Sequence, residues 1–228
     1  MSADLYFSTD LFKFLSELRA HNNRNWFERN KERYEMRVRD PLLRFIADLG
    51  PELRKINPHI VADPSPVRGS MMRIYRDIRF SKDKSPYKTS VAAHFWHEKA
   101  KEGAAPAYYL HLEPDRSLIG AGIWRPEPGA LKKIRDAIVN DPRRWKRIMS
   151  AQQLGAKSKM AGESLQRPPR GYDPNHSLIE DIKRKDFTVG RSLRDQEILG
   201  KDLKTIGLDS FRKTAPFVKF LSEAVGLP

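Results

Sequence analysis

The chain has 228 residues, with 43 lysines and arginines against 29 aspartates and glutamates, a net charge of +14 and no cysteine. That length buries a core without metal or disulfide support, and the lack of cysteine excludes disulfides, zinc–thiolate sites and cysteine nucleophiles. A basic excess of this size speeds encounter with polyanions (nucleic acid, acidic lipid, phosphorylated small molecules) without choosing among them.

The N-terminal stretch MSADLYFSTDLFKFL has no basic region ahead of an apolar run, so no signal peptide is expected. No apolar run approaches the roughly 18 residues of a membrane span, and a cytoplasmic protein without membrane partners is expected. Thr9 or Asp10 can cap a first helix with Leu11, Phe14, Leu15 and Leu18 at the 3.6 period, ending near His21-Asn22-Asn23. Asn25 can cap a second, WFERNKERYEMRV. Asp40-Pro41 reads as a cap plus first-turn proline for a third, with Leu42, Phe45, Ile46, Leu49 and Leu53 on one stripe. Pro58, Pro64, Pro66 and Gly69 mark a loop.

Strand patterns follow. MMRIYRDI alternates Met72, Ile74 and Ile78 against Arg73 and Tyr75; VAAHFW and AYYLHLE alternate as well, and a Pro114-Asp115 turn leads AYYLHLE into SLIGAGIW as an antiparallel hairpin. Gly120 and Gly122 on one face imply that a backbone, a ligand or a tightly packed helix approaches there. Beyond Trp124, Leu131, Ile134 and Ile138 are spaced for a helix, and Asp141-Pro142 starts the Trp145, Ile148 and Met149 segment. Residues 151–174 read as a long surface loop, HSLIEDIKRK as a short helix, and Thr214 as the cap of APFVKFLSEAV. The pattern predicts one α+β domain over 1–228: helical over 1–57, sheet over 70–125, and mainly helical over 127–228. Its sheet is mostly antiparallel, of about four or five strands, covered by N- and C-terminal helices.

The run RIYRDIRFSKDKSPYK packs three arginines, three lysines and two tyrosines against only Asp77 and Asp83. Arginine offers a planar fork to phosphate or carboxylate, and lysine a movable point charge. On a strand, Arg73 and Tyr75 share a face and Arg76 takes the other, so the three arginines cannot all line one groove from the strand itself. Arg79, Lys82, Lys84 and Lys88 then fall on the following loop, where Ser85-Pro86 favours a turn. Ion pairing with Asp77 and Asp83, or with Glu28, Glu32 and Glu35 of the helices, is the alternative. His111 and Glu113 share a strand face, whereas His94 and His97 point apart. No spacing is diagnostic of a metal or a cofactor, and none is expected. No Gly-x-Ser-x-Gly elbow, phosphate loop, dinucleotide fingerprint or kinase set is present. The aromatics Trp26, Tyr34, Tyr75, Tyr87, Trp96, Tyr108, Tyr109, Trp124 and Trp145 are mixed with cations, as in single-strand nucleic-acid binders, although most fall at core-like positions.

The segments FLSELRAHNNRNWFERNKERYE, SMMRIYRDIRFSKDKSPYKT, AYYLHLEPDRSLIGAGIWRPEP, RPPRGYDPNH and FRKTAPFVKFL together resemble the bacterial and fungal family labelled domain of unknown function 2461. The resemblance spans nearly the whole chain. It implies a single-domain, soluble, widespread group with no established activity, so no catalytic role is carried over. Its most recognisable motif falls on Arg73, Arg76, Asp77, Arg79, Phe80, Ser81, Lys82, Lys84, Pro86, Tyr87, Lys88 and Thr89. The inclusion of Asp77 points to a specific constellation rather than generic surface charge.

The expected function is therefore binding, or processing, of an anionic phosphate-bearing ligand by Arg73, Arg76, Arg79, Lys82, Lys84, Tyr87 and Lys88. Tyr109, His111 and Glu113 are the nearest groups for proton transfer. One alternative is a nucleic-acid module using a wider surface that includes Lys132, Lys133, Arg135, Arg143, Arg144 and Arg147. Another is an interaction module in which the motif is an ion-pair clamp.

Overall fold

The computed structural model describes residues 5–99, 105–150, 154–155 and 157–228, and its fold is α+β. Helix α1 (Asp10–Ala20) buries Leu11, Phe14, Leu15 and Leu18 as their spacing requires. Helix α2 (Arg24–Arg29) is capped by Asn23, whose side chain accepts the Trp26 N–H at 3.0 Å, and not by Asn25. After Asn30, α3 (Lys31–Tyr34) does not stop before Pro41. It runs through a π-helical turn, Glu35–Arg39, into α4 (Asp40–Ile56), so Asp40-Pro41 lies within one continuous helical path. Pro41 has no N–H to offer the carbonyl four residues back. A turn widened by one residue, in which the Asp40 N–H reaches the Glu35 carbonyl, accommodates that gap.

The sheet is antiparallel throughout, in the order β1-β2-β3-β5-β4. Strands β1 (Val91–Phe95), β2 (Ala107–Leu112) and β3 (Leu118–Ile123) lie where alternation placed them. The other two come from chain read as loop and helix: β4 (Lys159–Ala161) inside 151–174, and β5 (Phe187–Ser192). Residues 151–153 and 156 of that loop lie outside the described residues. The close approach implied by Gly120 and Gly122 is made by the backbone of β5. A Cβ on Gly122, which has φ +129°, would stand 2.0 Å from the Phe187 carbonyl oxygen.

One sheet face carries Ala93, Phe95, Tyr108, Leu110, Ile119, Ala121 and Val189. It packs on the C-terminal helix: the Phe211 ring of that helix lies 4.6 Å from Tyr108. Helices α5 (Pro128–Asn140), α6 (Pro142–Ile148), α7 (Ile179–Ile182), α8 (Asp195–Ile198) and α9 (Leu203–Val225) complete the shell. Helix α9 begins eleven residues before Thr214; that hydroxyl donates to the Ser210 carbonyl at 2.9 Å instead of capping. The core divides into a cluster under α1, α4 and α9 and a second around Trp145, Phe187 and Phe217. Among the described residues no helix is long and apolar enough to cross a membrane.

Candidate functional site

The basic motif is not a strand. Its first arm runs extended beside β1, with Met71 opposite Ala93, and pairs again only where Tyr75 meets Tyr87. The Arg76 N–H donates to the Pro86 carbonyl at 2.9 Å and the Lys88 N–H to the Ile74 carbonyl at 2.8 Å, closing residues 76–86 into a loop. Within it the expected ion pairs form. Arg76 donates to Asp83 and Ser81, and Arg79 forks onto both oxygens of Asp77, at 3.0 and 2.7 Å. The Ser85 hydroxyl and N–H, then Arg76, hold the Asp83 carboxyl well below the usual range; Arg79 holds Asp77 down to about 2. Lys84 donates to the Ile78 carbonyl at 3.0 Å, and Lys82 is exposed. Glu35, read as a possible partner of these arginines, pairs instead with Arg39 at 2.7 Å.

Tyr87 is buried, its ring stacked on Phe27 at 4.1 Å. Tyr75, half exposed, leans on Tyr87 with ring centroids 5.3 Å apart. These rings brace one wall of a cleft of about 980 Å³ between the helical segment 27–39 and the extended segment 66–77. Lys31, Arg39, Arg68, Arg73 and Lys88 line it and outnumber Glu35 and Asp77, while Tyr75, His94 and Trp96 supply ring surface. Arg39 is neutralised by Glu35 and Asp40. Among the described residues no carboxylate forms a salt bridge with Lys31, Arg68 or Arg73.

The motif is thus divided. Arg73 and Lys88 line the cleft; Arg76, Arg79, Lys82 and Lys84 belong to the neighbouring loop; Tyr87 lies beneath both. Lys31 and Arg68 escaped the sequence reading, and Trp96 entered it only among the aromatics mixed with cations. Lys31, Glu35 and Arg39 recur at four-residue intervals, which marks a polar helix face but not what it faces. Tyr109, His111 and Glu113 do come together on the sheet face opposite the core. The Tyr109 hydroxyl lies 3.3 Å from His111 Nδ1, His111 Nε2 lies 3.1 Å from Glu113, and Arg19 of α1 reaches Glu113 at 3.0 Å.

The wider basic surface is interrupted. Arg135 is buried, donating to the Arg184 carbonyl at 2.8 Å, and burial pulls its pKa down. Lys132 pairs with Asp136 at 2.7 Å and Arg144 with Glu223 at 2.6 Å; Lys133, Arg143 and Arg147 are exposed. Among the described residues no cluster of His, Asp and Glu could hold a metal ion.

No curated protein and no solved structure matches the chain. The family model described as conserved hypothetical protein (DUF2461) matches residues 10–220. That span takes in both walls of the cleft, the ion-paired loop and the Tyr109 row, and the chain belongs to the DUF2461 family.

Proposed function

We propose that the chain is a cytoplasmic protein whose cleft binds an anionic, phosphate-bearing small molecule. Lys31, Arg68 and Arg73 take the phosphate, and Tyr75 and Trp96 lie against the rest of the ligand. One observation carries this reading: Lys31, Arg68 and Arg73, none of them salt-bridged to a carboxylate among the described residues, line one concave site beside exposed ring surface. Arg76, Arg79 and Lys84 act at one remove by holding the loop, and Lys82 adds to the field that draws anions in. A second reading, single-stranded nucleic acid across the loop, is supported by Phe80, which is 94% exposed with the Arg79 guanidinium 5.8 Å from its ring centre.

The test is a thermal-shift and calorimetric screen of nucleotides, sugar phosphates, polyphosphate and short oligonucleotides at two salt concentrations. Losing the Arg73 fork in Arg73→Ala weakens the best small phosphate by about 10–100-fold, the usual worth of a hydrogen bond to a charged group. Its melting temperature stays near that of wild type, because Arg73 is exposed. Arg76→Ala does the reverse. It loses a surface pair that solvent screens, shifts the melt only slightly, and keeps most of the affinity. If only oligonucleotides bind, with a log–log salt slope of roughly one unit per phosphate contacted, the second reading replaces the first. If nothing binds and only Arg76→Ala is altered, through its stability, the motif is a clamp and both readings fall.

A further inference from the structure

We propose that Tyr109, His111 and Glu113 form a proton relay that makes the Tyr109 hydroxyl a nucleophile toward an ester, acyl or phosphoryl. The relay stands apart from the cleft reading.

Its direction follows from donors and acceptors alone. Glu113 is held at both oxygens: Oε1 takes a hydrogen bond from Arg19 at 3.0 Å, and Oε2 faces His111 Nε2 at 3.1 Å. Its main chain is fixed too, its N–H donating to the Ser117 hydroxyl at 3.0 Å and its carbonyl accepting from that hydroxyl at 2.8 Å. A carboxylate only accepts, so Nε2 must carry the imidazole proton. A neutral imidazole has a single N–H, which leaves Nδ1 as an acceptor. The Tyr109 hydroxyl, 3.3 Å away, donates to it. The order is therefore Tyr109 O–H to His111 Nδ1, His111 Nε2–H to Glu113, with Arg19 closing the far end. This is the order of donors by which a hydroxyl nucleophile, a histidine base and a carboxylate cooperate on unrelated folds.

The neighbouring residue shows what a structural tyrosine looks like here. Tyr108 is fully buried on the core face, and its hydroxyl has no hydrogen-bond partner among the described residues. Tyr109, one residue on, points to the other face and meets a base. Burial pushes the Tyr109 hydroxyl up, so it rests protonated and its proton leaves only as a bond forms. On the adjacent strand β1, His94 stands opposite Tyr109 and lines the cleft.

In the step itself Tyr109 Oη attacks the carbonyl carbon or phosphorus. The Oη–H bond breaks toward His111 Nδ1, and the imidazolium formed is held by Glu113. The leaving group departs with its bonding electrons and takes that proton back from Nδ1. The product is an O-acyl or O-phosphoryl tyrosine, and His111 and Glu113 are back in their starting protonation states. His111 and Tyr109 are the catalytic residues; Glu113 and Arg19 position the imidazole.

Methanesulfonyl fluoride tests this on the full chain without any cleft ligand, because its sulfur accepts Oη, fluoride leaves and the proton goes to Nδ1. Sites are read by peptide mapping against time. Tyr75 is the internal control, since it is 50% exposed and its hydroxyl makes no hydrogen bond to a histidine among the described residues. Tyr109 reacts faster than Tyr75 in wild type, and His111→Ala slows Tyr109 at least about tenfold while leaving Tyr75 unchanged. Glu113→Gln lets an amide nitrogen face Nε2, moves the imidazole proton to Nδ1 and slows Tyr109 several-fold; it serves if His111→Ala does not fold. Nitrogen-15 spectra of wild type show the proton on His111 Nε2. The proposal is overturned if Tyr109 is unlabelled, if Tyr75 reacts as fast, if neither variant changes the Tyr109 rate, or if the proton sits on Nδ1.

Discussion

Asn22→Asp is the sharpest perturbation of the cleft wall that touches no cation. Asn22 lies in the turn between α1 and α2 and brackets the backbone of Tyr87 with its amide. Nδ2 donates to the Tyr87 carbonyl at 2.9 Å, and Oδ1 accepts the Tyr87 N–H at 3.1 Å. One side chain thus pins the returning arm of the basic loop to the helical layer, where Tyr87 stacks on Phe27. Aspartate keeps the shape and the acceptor but sets a second oxygen against the Tyr87 carbonyl. One hydrogen bond is lost and a part-buried acceptor is left facing another, together about 2 kcal/mol. For a chain of this size that lowers the melting temperature by about 4–8 °C. Below about pH 4 the new carboxyl takes up a proton and regains a donor, so the gap to wild type narrows in acid. Calorimetric melts of both proteins across pH, with amide exchange at Tyr87 and Lys88, follow both effects. A variant that melts within a degree of wild type at neutral pH, or a gap that does not narrow in acid, would show that this clamp carries no weight.

Two further outcomes follow from the geometry. Asp77 has a folded pKa of about 2 against an ordinary 3.8. A depressed carboxylate contributes stability above its unfolded value and loses it as pH falls through the folded one. The Arg79–Asp77 fork therefore stays intact above about pH 4 and opens toward pH 2. Protection of the Arg79 amide, which donates to Asp77 at 3.2 Å, relative to its intrinsic exchange rate falls over that window; unchanged protection to pH 2 would count against the lock. Gly122→Ala drives a methyl against the Phe187 carbonyl at a left-handed position and separates β3 from β5. The expected loss exceeds about 3 kcal/mol, the range of severe backbone strain, and a melt near that of wild type would contradict the strand pairing.

Elements legible in the sequence were those whose own residues carry their reason. The stripe of α1, the stripe of α4 and the β2–β3 hairpin announce themselves by periodicity, because each buries one face of a regular element. Where the deciding partner is distant in sequence, periodicity is silent. Strand β4 has three residues and exists because β5 offers it an edge; β5 carries Gly190, poor for a strand in isolation, because Gly120 of β3 lies directly across. The continuous helix from Lys31 to Ile56 was hidden by Pro41, since a proline normally ends or starts a helix. Only a π turn, stabilised by packing rather than by propensity, carries the chain through it.

The candidate site divides by the same logic. Density of charge along the chain drew attention to one motif, yet density does not distinguish a cation held by its neighbour from one held by nothing. Arg76 and Arg79 have carboxylates seven and two residues away, close enough for a short loop to satisfy them internally. Arg73 sits on the extended arm before that loop and shares the cleft with Asp77, whose carboxyl its charge helps hold down. It lines the cleft together with Lys31 of the helical wall and Arg68 of its own extended wall. Cations lining one cleft make its potential positive, and in the proposed reading an arriving anion offsets it. The ion-paired residues hold the loop beside the cleft; in the proposed reading Lys31, Arg68 and Arg73 meet the ligand within it.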